Sequence, residues 1–405
     1  MDVEIRTITE DEFEAAVRSL EASFSGSATD EDLRRERAVA EIDRWLAAFD
    51  DGSIVGGAAA ASFTLTVPGG RQVPTAGVTA VGVQPTHRRR GINTAMMRAQ
   101  LDDVHRRGEP LAALYASEGG IYGRFGYGVA AFLGEINLEV GRSSFIRGYR
   151  TSGRIRLLDR ATALPLMRPV YEAERSRRPG MIAMDDRWWD LLFFESEKDK
   201  DEPIVYAVHD TEGTVDGYCT YKVKHDWPDS IAKLQLSVRQ LVGSTPQTWA
   251  DLWRYVFDID LVHSVNAWNR PVDEPLLHLM QEPRRLRFGL KDGLYIRLVD
   301  VQAALGARAY SADGSVAIEV DDPFCPWNAG RFMLEARDGE VLCTRTDISP
   351  EIACTATDLG GTYLGGMSFR QLHRAGRIEE LVSGALARAD AMFGWDPSPW
   401  CPILF

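Results

Sequence analysis

The segment "VGVQPTHRRRGINTAMM", residues 81–97, sets three consecutive arginines between an apolar run and an amphipathic one. A strand running into a helix at this point leaves several backbone N–H groups free. They sit where the helix dipole is positive, which makes an anion site. Gly91 lets a ligand approach the backbone closely. Arginines beside free amides suit a pyrophosphate. No Gly-Lys-Ser/Thr follows, and no GxGxxG with a downstream acid closes a first strand, so both common nucleotide loops are excluded. A nucleic-acid patch and an idle solvated turn are the competing readings. Two other places hold candidate chemistry: the glycine- and aromatic-rich "EGGIYGRFGYG" at 118–128, and the apolar end "WCPILF". A terminus of Ile403, Leu404 and Phe405 should be packed somewhere, and from the residues alone it reads first as a core anchor.

The surrounding periodicity supplies the elements. In "TEDEFEAAVRSLEASF", Thr9 and Glu12 form a capping-box pattern and Phe13, Val17, Leu20 and Phe24 recur at helical spacing. A second, more exposed helix is expected in "SGSATDEDLRRERAVAEIDRW". The runs "SIVGGAAAASFTLTV" and "VPTAGVTAVGV" read as strands hinged at Pro68-Gly69-Gly70. "INTAMMRAQLDDVHRRG" places Ile92, Met96, Leu101 and Val104 on one helical face and stops at Gly108, and "LAALYAS" reads as a short buried strand. From about residue 154 a similar order of helix, hairpin, strand and helix begins again, with "GSTPQT" where the first copy has "PTHRRRGINT". After residue 290 come three strand-like stretches, "SVAIEVDDPF", "RFMLEARDGEVLCTRT" and "EIACTATDLGGTYLGG", then two helices. The expected architecture is an α/β domain at 1–150, a degenerate copy at 151–290 and an α+β domain at 291–405.

Composition narrows the partners. There are 59 acidic against 46 basic side chains, a formal charge of −13, which argues against a general polyanion binder and suits a cationic substrate. Five scattered cysteines without a CxxC, and dispersed histidines, imply free thiols and no metal. No stretch reads as a signal peptide or a bilayer span, so a cytoplasmic chain that does not engage membrane is expected.

With those residues in view, "VGVQPTHRRRGINT" resembles the acetyl-CoA loop of the GNAT acetyltransferases. Arg88 and Gly91 stand on that family's pattern, and Asn93 replaces its small last residue. "ALYASEGGIYGRFGYG" looks like the tyrosine-bearing turn of the same family. Overall length, the degenerate second copy and the final phenylalanine narrow the resemblance to the Eis (enhanced intracellular survival) acetyltransferases. This implies tandem GNAT folds followed by a sterol-carrier-protein-like domain, assembled as a homohexamer, with acetyl-CoA as cofactor. Amides from Arg89 through Arg90, Gly91, Ile92 and Asn93 to Thr94 would hold the pyrophosphate. Val81, Gly82 and Val83 would pair with the pantetheine arm, and Ser117 and Glu118 would line the cleft. The resemblance makes Tyr122 the general acid. Its phenol has a reference pKa near about 10, which a helix starting nearby would lower; Tyr127 would only pack. The α-carboxylate of Phe405, of reference pKa about 3.5 and raised by apolar neighbours, would be the base. Acceptors would be small-molecule amines, chiefly aminoglycosides modified at more than one position. Lysine side chains or arylalkylamines are the alternatives within the class, and a lipid carrier or inert scaffold the alternative outside it. Phe24, Glu36 and Phe63 are candidate acceptor contacts, although Phe24, Phe63 and Trp45 are more often core than pocket wall and Glu36 reads equally well as part of an acidic surface helix without a function.

Overall fold

A computed structural model describes residues 3–146, 148–196 and 200–405. The Thr9–Glu12 capping box is present and leads into the helix Phe13–Ser23, and the exposed second helix spans Asp30–Val39. The long hairpin of Ser53–Val67 and Arg71–Val83 turns at the expected Pro-Gly-Gly, with Gly69 and Gly70 at positive φ. The helix Ile92–Arg106 buries Ile92, Met96, Leu101 and Val104, so the predicted face is the packed one.

Among the described residues the first sheet has seven strands, in the order Glu4–Thr7, Trp45–Asp50, Ser53–Val67, Arg71–Val83, Leu111–Tyr115, Leu294–Leu298, Gly128–Val129. Its one parallel pair is Arg71–Val83 with Leu111–Tyr115, the arrangement a crossover helix produces. The second sheet repeats the plan, with Leu234–Gly243 parallel to Val262–Arg270 and the helix Pro246–Phe257 between them.

The two copies exchange strands. Phe132–Glu139 leaves the first unit to pair with Val262–Arg270 in the second sheet. Leu294–Leu298 returns from beyond residue 290 to pair with Leu111–Tyr115 in the first. Linear cuts at 150 and 290 therefore pass beside an exchange rather than between self-contained sheets. The third domain is a five-stranded sheet with helices Val301–Ala307, Ala356–Thr362, Phe369–Arg374 and Ala385–Phe393. Only Ile352–Thr355 of the expected third strand-like stretch is a strand. A Thr355–Asp358 capping box then starts the helix Ala356–Thr362 despite its two glycines. One apolar core runs through all three domains, drawing on Phe63 and Leu65, Met167 and Trp189, Leu359 and Ile403.

Candidate active site

The parallel pair of the first sheet splits. Arg71–Val83 and Leu111–Tyr115 are paired only as far as Gly77 and Ala113. Beyond that point the first strand bulges, because Ala80 and Val81 together face the single residue Ala58, and Ala80 takes φ 52°. The bulge turns consecutive residues of one strand toward two different cavities. Val81, Gly82 and Val83 line a cleft of about 460 Å³, and Thr79 and Ala80 line a smaller pocket of about 220 Å³. Crevices beyond the carboxyl ends of parallel strands are the usual binding sites of α/β sheets.

The larger cleft gathers most of the predicted cofactor residues. Arg88, Arg89, Gly91, Ile92, Asn93 and Thr94 line it from the loop, and Ser117, Glu118 and Tyr122 from the next strand and turn. Its helix begins at Gly91, φ 79°, with no side-chain cap, so the first-turn amides remain free. A Cβ at Gly91 would meet no protein atom, so the space there is open. Asn93 keeps a buried side-chain oxygen without a hydrogen-bond partner. Two arginines differ from a simple anion cradle. The Arg88 guanidinium donates to the Ser23 and Val83 carbonyls, which locks the loop, and Arg90 turns to Asp50 at 3.9 Å and does not line the cleft. The second copy explains the contrast. There Thr245 caps its own helix by accepting from the Thr248 amide, and Pro246 in the first turn has no N–H, so two of the first-turn donors are lost.

Tyr122 is buried at the end of the short helix Gly119–Tyr122, with its ring set edge-on to Tyr127. Burial alone raises its pKa, and no charge or hydrogen bond offsets it. The expected lowering by a helix start is thus overturned: Tyr122 closes a four-residue helix instead of opening one. Tyr127 is fully buried, its hydroxyl unpartnered, as a packing residue.

Phe405 and Leu404 line the smaller pocket with Glu36, Glu41, Trp45, Trp188 and Leu191. The Phe405 ring lies 4.9 Å from Phe63 and 5.6 Å, edge-on, from Tyr115. Phe63 lies beneath it against Trp188, and Phe24 lines the larger cleft instead of this pocket. Glu36 is exposed at the rim, and crowding by protein atoms, then Glu21 and Asp32, raises its carboxyl pKa against the opposing pull of Arg35. The tail reaches this place by pinned main chain. The Trp400 amide donates to the Pro179 carbonyl at 2.9 Å, and Asn269 and the Tyr115 hydroxyl both donate to the Cys401 carbonyl, at 2.9 and 2.8 Å. Tyr115, Asn269, Trp188 and Leu191 had no local signal, because each matters only through a partner far away in sequence.

Residues 4–130 and 180–298 each match the acetyltransferase (GNAT) domain family, and residues 301–402 match the sterol carrier protein domain family. The chain is 41% identical over 406 residues to an uncharacterized N-acetyltransferase of Streptomyces avermitilis, covering 99% of both. It is 33% identical over 415 residues to N-acetyltransferase Eis of Mycobacterium tuberculosis, covering 98% of both. The chain belongs to the Eis family of GNAT N-acetyltransferases. The crystal structure of Eis1 from Mycobacterium abscessus superposes over the whole of both chains with a TM-score of 0.86 at 35% identity. As an Eis-family enzyme the protein is an N-acetyltransferase that uses acetyl-CoA. The free helix-start amides and the open space at Gly91 fit that cofactor's pyrophosphate, and the orphaned Asn93 oxygen, an acceptor, fits an N–H of its pantetheine. In this family member, Gly91→Ala is expected to cost about 1 kcal/mol of stability through the left-handed backbone alone. Acetyl-CoA affinity should fall about tenfold, a free-energy change of about 1.4 kcal/mol. Calorimetric titration beside thermal melting checks both, and native values in each would remove Gly91 from the site.

Proposed function

We propose that the enzyme acetylates primary amines of polycationic small molecules, most suitably aminoglycosides, with Tyr122 as general acid and the Phe405 α-carboxylate as general base. The observation that carries this reading is the bulged strand, which lines the cofactor cleft with Val81–Val83 and the Phe405 pocket with Thr79 and Ala80. Donor and acceptor therefore approach one strand from opposite sides. Bound acetyl-CoA supplies the activated acetyl thioester. The Phe405 carboxylate takes the proton from the incoming ammonium, and among the described residues no basic side chain forms an ion pair with it. Tyr122 holds its phenolic proton through neutral pH and gives it up toward the cleft, where the leaving sulfur would lie. An amide of the strand Val81–Val83 stabilises the developing oxyanion.

The rim carboxylates Glu36 and Glu41 and the net charge of −13 support a cationic acceptor. About 220 Å³ admits one amine-bearing ring while the remainder stays outside, and a multiply aminated sugar could re-enter by another ring. The apolar walls of Trp45, Trp188 and Leu191 favour a second reading, an arylalkylamine acceptor. The third domain's interior is filled by Ile318, Leu334, Leu359 and Phe393, which supports a packing and assembly role over lipid carriage. The homohexamer belongs to the same proposal. The deciding experiment is thiol release from acetyl-CoA against aminoglycosides, arylalkylamines and lysine peptides, with product masses. Multiply acetylated aminoglycosides are the expected outcome. Release with arylalkylamines alone would select the second reading, and release with no amine would return the chain to a scaffold.

A further inference from the structure

The turn Gly119–Gly128 carries Tyr122, yet it rests on residues more than 160 positions away. The Thr357 hydroxyl donates at 2.7 Å to the carbonyl of Gly123, the residue that follows Tyr122. The helix bearing Thr357, Ala356–Thr362, lies backbone to backbone on the far end of the turn. A Cβ at Gly128 would fall 2.0 Å from the Thr357 carbonyl and 2.5 Å from the Gly361 amide. A Cβ at Gly360 would fall 2.4 Å from the Ile296 carbonyl. Glycine on both surfaces is what permits this approach. Between those two anchors, Phe125 packs on Phe324 with ring centroids 4.9 Å apart. Gly126, φ 86°, leaves room for the buried Arg297 guanidinium, which pairs at 2.5 Å with the equally buried Asp322. Thr357, Phe324 and Asp322 all come from the third domain.

We propose that the third domain fixes the turn that carries Tyr122, with Thr357 as the positioning residue through which it does so. The proposal rests on the reading of Tyr122 as the acid. Under it the third domain serves both ends of the reaction: its tail delivers Phe405, and its helix Ala356–Thr362 sets the phenol. A four-residue helix flanked by glycines has little rigidity of its own, so its geometry must come from what it packs against. Small misplacements of a catalytic group cost as much as about 10²-fold in rate.

The test is Thr357→Val, which keeps the shape and removes the donor, beside Thr357→Ser, which keeps the donor. Expected for Thr357→Val is an about tenfold fall in kcat with both KM values unchanged, and faster amide exchange over Gly119–Tyr127 but not over Leu111–Tyr115. Thr357→Ser should recover kcat and exchange protection. In a Tyr122→Phe background, Thr357→Val should cost nothing further, because the group it positions is gone. Native kcat in Thr357→Val, unaltered exchange, or an equal loss in both backgrounds would each overturn the proposal. If Tyr122→Phe alone keeps native turnover while exchange in Thr357→Val still rises and is rescued by serine, the acid assignment fails and the fixing of the turn stands.

Discussion

One glycine added after Phe405 is expected to lower kcat about a hundredfold or more while leaving acetyl-CoA affinity unchanged. Loss of a positioned general base costs about 10²–10⁴ in rate. The expectation follows from how the tail is held. Its main chain is fastened at Pro179, Asn269 and Tyr115, so Trp400 and Cys401 cannot slide to absorb an extra residue. A Cβ at Gly180 would sit 3.0 Å from the Trp400 backbone, which shows how closely the strap is seated. The Phe405 ring is wedged between Phe63 and Tyr115, so added chain displaces the carboxylate rather than the ring. The cofactor cleft shares neither Phe405 nor Leu404, hence the unchanged acetyl-CoA binding. Phe405→Leu separates the two parts, since it keeps the carboxylate and loosens its seat, and a partial loss is expected. Steady-state kinetics with calorimetric titration makes the measurement. Native turnover in the extended protein would dismiss the carboxylate as base.

What the sequence disclosed was local. Period-3.6 faces, the Thr9–Glu12 box and the Pro68-Gly69-Gly70 hinge each follow from contacts within a few residues, and each is present. The arginine loop was legible for the same reason: its chemistry is that of a helix start. Its side chains were not, because Arg88 reaches back to Ser23 and Arg90 to Asp50 through tertiary packing. The strand exchange was invisible. Phe132–Glu139 alternates as any strand does, and nothing in its pattern states that Val262–Arg270 is its neighbour. "ATDLGG" misled because two glycines argue against a helix, whereas here they are what allows the helix to lie on Gly128. The apolar terminus announced burial but not its partners. Tyr115 and Asn269 are placed by two different sheets, and only the fold brings them to one carbonyl.

Tyr122→Phe is expected to lower kcat by a comparable factor, about 10²–10⁴, with KM for acetyl-CoA within about twofold and the melting temperature little changed. The ring survives the substitution, so packing against Phe125 and Tyr127 is retained. Only the proton donor is lost. The direction of the tyrosine's pKa sets the pH dependence. A general acid must be protonated, and burial holds this phenol above its ordinary value, so it stays protonated through neutral and moderately alkaline pH. The native kcat profile should therefore rise with pH as the base loses its proton and keep its plateau past about pH 10, the ordinary phenol value. An alkaline limb setting in well below that value would contradict a buried acid. In Tyr122→Phe the residual rate should lose the tyrosine limb altogether. The same substitution at Tyr127 is the control, because that hydroxyl is buried without a partner and takes no part in lining the cleft. Removing an unsatisfied buried hydroxyl should leave kcat near native and stability equal or higher. If Tyr127→Phe abolished turnover while Tyr122→Phe did not, the acid would have to be reassigned within the same turn. The third domain would then be positioning a different hydroxyl with the same contacts.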